Sequence, residues 1–279
     1  MKQLFDKVSR KCSKLTTNAY STSFSLGIRF LHKKFHDPIY AIYGFVRFAD
    51  EIVDTFHDFD KEDLLNRFKE DTYRAIDEKI SLNPILNSFQ EAVHAYNIDR
   101  HLIDTFLKSM EMDLYKTDYM SEEELKQYVL GSAEVVGLMC LKVFCEGNQK
   151  RYKELEYYAM QLGSAFQKIN FLRDISQDYE ALGRTYFPGV DISQLDEQSK
   201  QLLEKEIADE FKQGYEGIKM LPKGARFGVY VAYVYYHSLF RKIQNIPSEG
   251  ILEERVRIPN QKKFALLLGC YVRHSMNRI

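Results

Sequence analysis

The sequence predicts an all-α protein, and three observations carry that prediction. Glycine and proline, on which tight turns between strands depend, are sparse: between Gly44 and Gly131 there is no glycine and a single proline, Pro84. The apolar residues recur at steps of three and four, the period of one helical face. The 279 residues are 45% hydrophobic and 28% charged, the composition of a folded chain rather than a disordered one.

Taken in order, a first helix is expected at about 5–31. A second, over 37–57, opens with Asp37 as N-cap and Pro38 in the first turn, and turns Ile39, Ile42, Phe45, Val46, Ala49, Val53 and Phe56 to one side. The same spacing places helices at 61–78, 82–96, 99–115 and 121–145. A strong helix follows at 154–179 with Leu162, Ala165, Phe166, Ile169 and Leu172 inward, then others at 197–219, 223–244 and 260–277. Gly183 to Leu195 (GRTYFPGVDISQL) is the clearest loop. Without a Pro/Gly/Ser linker, low-complexity tract or short-period repeat, the chain reads as one all-helical domain over residues 1–279, a bundle.

Charge and cysteine content narrow the function. Lys and Arg number 39 against 40 Asp and Glu, a net charge of −1, which argues against a nucleic-acid partner. The four cysteines (Cys12, Cys140, Cys145, Cys270) form no CxxC pair and read as reduced thiols of a cytoplasmic protein. The opening MKQLFDKVSRKC lacks the apolar run of a secretory signal, and the aromatic-rich run Phe227 to Phe240 falls short of the roughly 20 residues that span a bilayer. A soluble protein, or one that sits on a membrane surface, is expected.

The residues that look chemical are acidic. Asp50 and Asp54 lie one turn apart on a helix face, with Arg47 one turn earlier. Standing alone, such a pair reads as a solvated acidic face or as an ion-pair partner for Arg47. The second helix alters the balance, because Asp174 and Asp178 repeat the spacing. Gln167, Asn170, Asp174 and Asp178 draw a polar stripe down a helix otherwise filled with Phe, Leu and Ile, and Arg173 stands beside it. Two such stripes face to face would crowd four carboxylates, which makes sense only with cations between them. Oxygen ligands without His or Cys point to a hard ion, Mg²⁺ first and Mn²⁺ as the alternative, and to departure of a phosphate or diphosphate assisted by metal. Arg47, Arg173, Arg184 and Arg255 are suited to bind the same oxygens. None of the seven histidines has a partner at metal-ligand spacing. Most of the 38 aromatics (19 Tyr, 19 Phe) are expected in the core.

The segments SFSLGIRFL, AIYGFVRFADEIVD and LGSAFQKINFLRDISQDYEALGRTYFP closely resemble the squalene/phytoene synthase family, from about Tyr20 onward. The motif Q-x-x-N-x-x-R-D-x-x-x-D followed by G-R-x-Y-x-P is highly specific. The resemblance implies a helical bundle of the isoprenoid (terpenoid) synthase type with a central cavity, and a prenyltransferase that joins two prenyl diphosphates head to head. It implies Mg²⁺ on Asp50, Asp54, Asp174 and Asp178, with Asn170 and Gln167 as polar neighbours and Asn170 as a further metal ligand. Ser21 and Ser23 in YSTSF match serines that approach a diphosphate. Arg47, Arg173 and Arg255 match basic residues around the diphosphates, and Tyr128 and Tyr236 match active-site tyrosines. Within the family the likeness is greatest to bacterial phytoene synthases, which implies two geranylgeranyl diphosphates converted to phytoene through prephytoene diphosphate, without NADPH. Dehydrosqualene or squalene synthesis from farnesyl diphosphate is the alternative, and a non-catalytic scaffold is disfavoured by the four retained aspartates. So apolar a product implies peripheral contact with a membrane. Two departures stand out: Thr22 where the family commonly has a basic residue between the serines, and Glu134 where it usually has glycine.

Overall fold

The computed structural model describes residues 1–115, 121–182, 197–251, 256–259, 266–271 and 273, and for 176–182 and 249 the backbone alone. All regular structure among these residues is helical. Helices α1 (Lys2–Tyr20) and α2 (Thr22–Arg29) replace the single helix expected over 5–31. Ser21 drops into extended backbone (φ −141°, ψ 106°) and its hydroxyl accepts the Phe24 N–H at 3.1 Å, so one residue ends α1 and caps α2.

A 3-10 turn (Lys33–Phe35) leads into α3 (His36–Asp54). Asp37 is not the N-cap the sequence suggests. It lies inside the first turn, where the helix dipole favours an acid, and sits 3.5 Å from Arg10 of α1. α4 (Lys61–Glu78), α5 (Pro84–Tyr96) and α6 (Arg100–Tyr115) keep close to their expected bounds. The shortage of glycine is met by Lys79, Asn97 and Glu146, which take left-handed backbone (φ 59°, 50° and 50°) just past three helix ends.

The expected helix over 121–145 is resolved into α7 (Glu122–Val129), a π-helical turn (Leu130–Glu134) and α8 (Val135–Cys145). Among the described residues, this stretch is the one long and apolar enough to cross a membrane, with mean hydropathy 1.6 in its apolar window. That window is 61% buried, packed against α6 and α9, as expected of a core helix. α9 (Gln149–Leu182) begins five residues before its expected start; at 34 residues it runs about 51 Å. α10 (Glu197–Met220), α11 (Lys223–Gln244) and the short α12 (Ser248–Ile251) complete the order. The loop over 183–195 and most of the last expected helix lie outside the described residues.

Two apolar clusters form the interior. The larger joins α2 to α6 with α8, around Phe45, Phe89 and Phe106; the Phe45 and Phe89 rings stack with centroids 3.9 Å apart. The smaller lies between α9, α10 and α11, around Ile169, Leu172, Phe211 and Leu239. Gly27 and Gly228 set how α2 meets α11: a Cβ on Gly228 would come within 2.7 Å of the Gly27 carbonyl oxygen. From this crossing the two helices run antiparallel, since Gly27 also faces Ala232 and the His32 N–H bonds the Gly224 carbonyl at 2.7 Å. The Ser21 end of α2 therefore lies towards the Tyr236 end of α11.

Candidate active site

On α3, the guanidinium of Arg47 donates to Asp50 at 2.6 Å and to Glu51, its Nε lying 3.0 Å from the Glu51 carboxylate. The same guanidinium lies over the Tyr20 ring at 4.5 Å, fixing it from the α1 side. Burial alone would lower the pKa of Arg47. The adjacent Asp50 and Glu51 outweigh that and hold it above its ordinary value. Burial pulls Glu51 the other way, but hydrogen bonds from Arg47, Thr55 and Tyr20 leave it below the usual carboxylate range. Tyr43, one turn before Arg47, bonds Ser21, and burial raises its hydroxyl pKa; Arg47 counters part of this.

On α9, Arg173 clasps the neighbouring Asp174 with its Nε 3.0 and 3.1 Å from the two carboxylate oxygens. Asn170 donates to Gln167 at 3.3 Å and accepts from the Tyr236 hydroxyl of α11, also at 3.3 Å. Tyr236 stacks on Phe166 with centroids 4.0 Å apart, and burial raises its pKa. Gln167, Asn170, Arg173 and Asp174 are half-buried while Ile169, Leu172 and Ile175 between them are buried. The polar stripe thus faces accessible space and the rest of the helix faces packing.

The two charged groups are joined through tyrosines. The Tyr236 hydroxyl lies near enough to Tyr43 to add to its raised pKa, and Asp174 and Arg173 act in turn on Tyr236. The group of Ser21, Tyr43, Arg47 and Asp50, at the start of α2 and on α3, thus lies within electrostatic reach of Tyr236, Asn170, Arg173 and Asp174 on α11 and α9. Helices α3 and α9 do not pack on each other to any extent, so the space between them is spanned by side chains.

The other expected residues lie on these or neighbouring helices or outside the described residues. Asp54 is half-buried at the last position of α3, and Ser23 is half-buried in the first turn of α2. Asp178 lies on α9 by its backbone, its side chain outside the described residues, as are Arg184 and Arg255. Tyr128 is buried, and its hydroxyl donates to Asp113 at 3.0 Å rather than to the Asn170 group; its ring stacks on Phe171. Glu134 ends the π-helical turn where Gly163 of α9 lets the Ala133 carbonyl come within 3.0 Å of a Cβ position. It faces the buried Lys168, which bonds Glu206 at 2.6 Å and Glu210 at 2.5 Å, while Ser164 bonds Glu210 at 2.7 Å.

Sequence reasoning missed Tyr43 and Asp113. Asp113 continues the apolar positions Phe106 and Met110 at steps of four and three, so an acid on a buried face was its signal. Tyr43 carried no signal beyond an aromatic one turn before Arg47. A surface groove of about 560 Å³ lies at the other end of α3, some 20 Å along the helix from Asp50. Arg10 pairs with Glu91 there at 2.8 Å, and the groove shares no residue with the site.

Comparison with known proteins places the chain in a family and a fold. The squalene/phytoene synthase family model matches residues 17–262. The 15-cis-phytoene synthase of Synechocystis sp. is 26% identical over 297 residues, covering 94% of this chain and 84% of that one. The chloroplastic phytoene synthase 1 of Solanum lycopersicum is 23% identical over 262 residues; the match takes in 88% of this chain but spans 62% of that protein's length. A solved dehydrosqualene synthase in complex with ligand superposes with a TM-score of 0.83 at 20% identity, covering 98% of this chain and 99% of that one. Squalene synthase HpnC from Alicyclobacillus acidocaldarius gives 0.75 at 20% identity, over 86% and 94%. The architecture is the all-helical isoprenoid synthase fold, and the chain belongs to the squalene/phytoene synthase family of prenyltransferase-type enzymes.

Proposed function

We propose that the chain is a phytoene synthase, joining two molecules of geranylgeranyl diphosphate head to head through prephytoene diphosphate. The observation that carries the reading is that Arg47 and Asp50 lie within electrostatic reach of Asn170, Arg173 and Asp174 through the Tyr43 and Tyr236 hydroxyls. Two guanidinium groups with hydroxyls beside them suit a diphosphate, which they would bind, orient and keep in place as it leaves. The stacked Phe166 and Tyr236 rings offer an apolar, electron-rich wall to an allylic cation and keep water from it.

The donor set fits a hard divalent cation: Asp50, Asp54 and Asp174 with the Asn170 amide offer oxygen alone, and Asp178 would join them. Among the described residues no three His, Cys, Asp or Glu side chains converge on one point. Each helix would therefore hold Mg²⁺ through one or two carboxylates with substrate oxygens completing the shell, the manner Mg²⁺ favours. When bound, the ion supplies Lewis-acid neutralisation of the leaving diphosphate. Arg173 and Arg47 hold the carboxylates in place.

The similarity to named phytoene synthases over most of the chain supports the C20 substrate, and the solved dehydrosqualene and squalene synthases keep the C15 alternative in view. The test is competition between geranylgeranyl and farnesyl diphosphate in one tube with Mg²⁺, with and without NADPH, followed by product chromatography. A C40 hydrocarbon formed without NADPH is expected. A preferred C30 product would overturn the substrate assignment, and no condensed product from either substrate would overturn the activity.

A further inference from the structure

Helix α1 is built inside out. Its buried residues are Asp6, Ser9, Ser13 and Thr17, all polar. They are served by a polar ladder: Asn87 of α5 donates to Asp6 at 3.1 Å and to Ser9 at 3.2 Å, Ser13 bonds Ser88, and Ser25 of α2 donates to the Thr17 carbonyl at 3.1 Å. Leu4, Val8 and Leu15 instead point outward, 67%, 46% and 71% exposed. At 100° per residue these three fall within about 40° of one another and roughly 165° from the centre of the buried stripe. They form one continuous apolar ridge on the surface.

Charge along the same helix is equally one-sided. α1 holds five basic residues against one acid, in a chain whose net charge is −1. Lys2 and Arg10 are committed inward, to Asp6 at 3.0 Å and Glu91 at 2.8 Å. Lys7, Lys11 and Lys14 are exposed along one flank of the ridge, and among the described residues no ion pair engages them. A folded protein gains nothing by turning leucines to water, and a protein partner would leave the row of lysines without a reason. An apolar ridge beside a row of ammonium groups without acidic partners, with Lys14 lying 5.9 Å over the Tyr40 ring, matches a surface that is anionic outside and apolar a few ångströms below.

We propose that the outer face of α1 docks onto an anionic phospholipid bilayer, with Leu4, Val8 and Leu15 entering the headgroup–acyl boundary and Lys7, Lys11 and Lys14 meeting lipid phosphates. This takes from the functional reading only that the substrates are lipids. α1 ends at Tyr20, which carries the Arg47 guanidinium on the side of the helix turned away from the ridge, so docking would leave that contact in place.

The experiment is co-sedimentation of the full chain, without substrate, with vesicles of phosphatidylglycerol and phosphatidylcholine or of phosphatidylcholine alone. Binding to the anionic vesicles is expected, weakening with salt. Lys7→Gln, Lys11→Gln and Lys14→Gln should each weaken it about fivefold at low salt, and Leu4→Ser with Leu15→Ser by about tenfold or more. Circular dichroism and turnover of detergent-dispersed prenyl diphosphate should not change in these variants, which separates this proposal from the activity itself. No binding to anionic vesicles, binding that survives both sets of substitutions, or a dimer in light scattering that the leucine variants abolish would each overturn it.

Discussion

Arg47 and Arg173 each hold the aspartate that the metal and substrate would use, so the acids are kept in position by neighbours on their own helix. Asp50→Asn and Asp174→Asn keep shape and some hydrogen bonding but remove the charge. Each is expected to lower turnover by roughly 10²-fold or more while leaving the helical circular-dichroism signal intact; near-normal turnover in both would refute the assigned roles. Glu134 offers a test by pH. Burial, then the Glu210 charge, push its carboxyl up to about 7, with Lys168 offsetting part of the rise. Because the folded value lies above the unfolded 4.5, this group's contribution to stability is full below 4.5 and is lost as pH rises towards 7. Urea midpoints of the native chain should therefore fall relative to Glu134→Gln between pH 4.5 and 7, with a constant difference above that. His237, lowered first by burial, acts in the opposite sense but equally in both proteins, so the difference reports Glu134 together with the Glu210 carboxyl it acts on. A difference that does not change with pH would sink the assignment. At this scale the sequence was readable wherever residues repeat a spacing, as Asp50 and Asp174 do. It was silent about Tyr43, which matters only because of what the fold brings beside it.

Elements were legible where the apolar period is unbroken and hidden where one residue interrupts it. The run over 5–31 keeps a helical period through Ser21, so nothing in the spacing betrays that Ser21 turns and caps a second helix. The π-helical turn at Leu130–Glu134 is likewise invisible, because one extra residue per turn over five residues leaves the pattern helical. Asp37 carries the chemistry of a cap, yet the 3-10 turn ahead of α3 supplies the preceding turn itself. The α2–α11 crossing is the element-scale feature that assembles the site. A Cβ on Gly228 would lie 2.5 Å from a Leu31 methyl and 2.7 Å from the Gly27 oxygen, and the latter is backbone that cannot move aside. Gly228→Ala is expected to cost on the order of 3 kcal/mol, roughly 6–10 °C in melting temperature, and to lower turnover further by displacing Ser21 from Tyr43. Gly269→Ala, whose Cβ meets nothing within 4 Å, should do neither. Equal behaviour of the two variants in a thermal melt would refute the crossing's role.

For the molecule as a whole, helix content and fold class follow from composition and period. That the polar groups of α3 and α9, over 100 residues apart, come within electrostatic reach does not, because periodicity says which face is apolar and not which helix it lies near. Family motifs supplied that link, and the Tyr43 and Tyr236 hydroxyls give it a physical form. With all expected ligands carboxylate or amide oxygens, EDTA should abolish turnover and Mg²⁺ restore it with no change in far-ultraviolet circular dichroism; turnover that persists in EDTA would rule out the metal. The inverted build of α1 also has a thermal consequence. Most helices leave a protein by exposing apolar surface, which raises the heat capacity. Lifting α1 away from α3 and α5 would hydrate Asp6, Ser9, Ser13, Thr17, Asn87 and Ser88, and polar hydration lowers it, offsetting part of the apolar surface uncovered on α3 and α5. Detachment of this helix should therefore carry a smaller heat-capacity increment than a helix of the same length with an apolar buried stripe, and its free energy should curve less with temperature than that of the rest of the bundle.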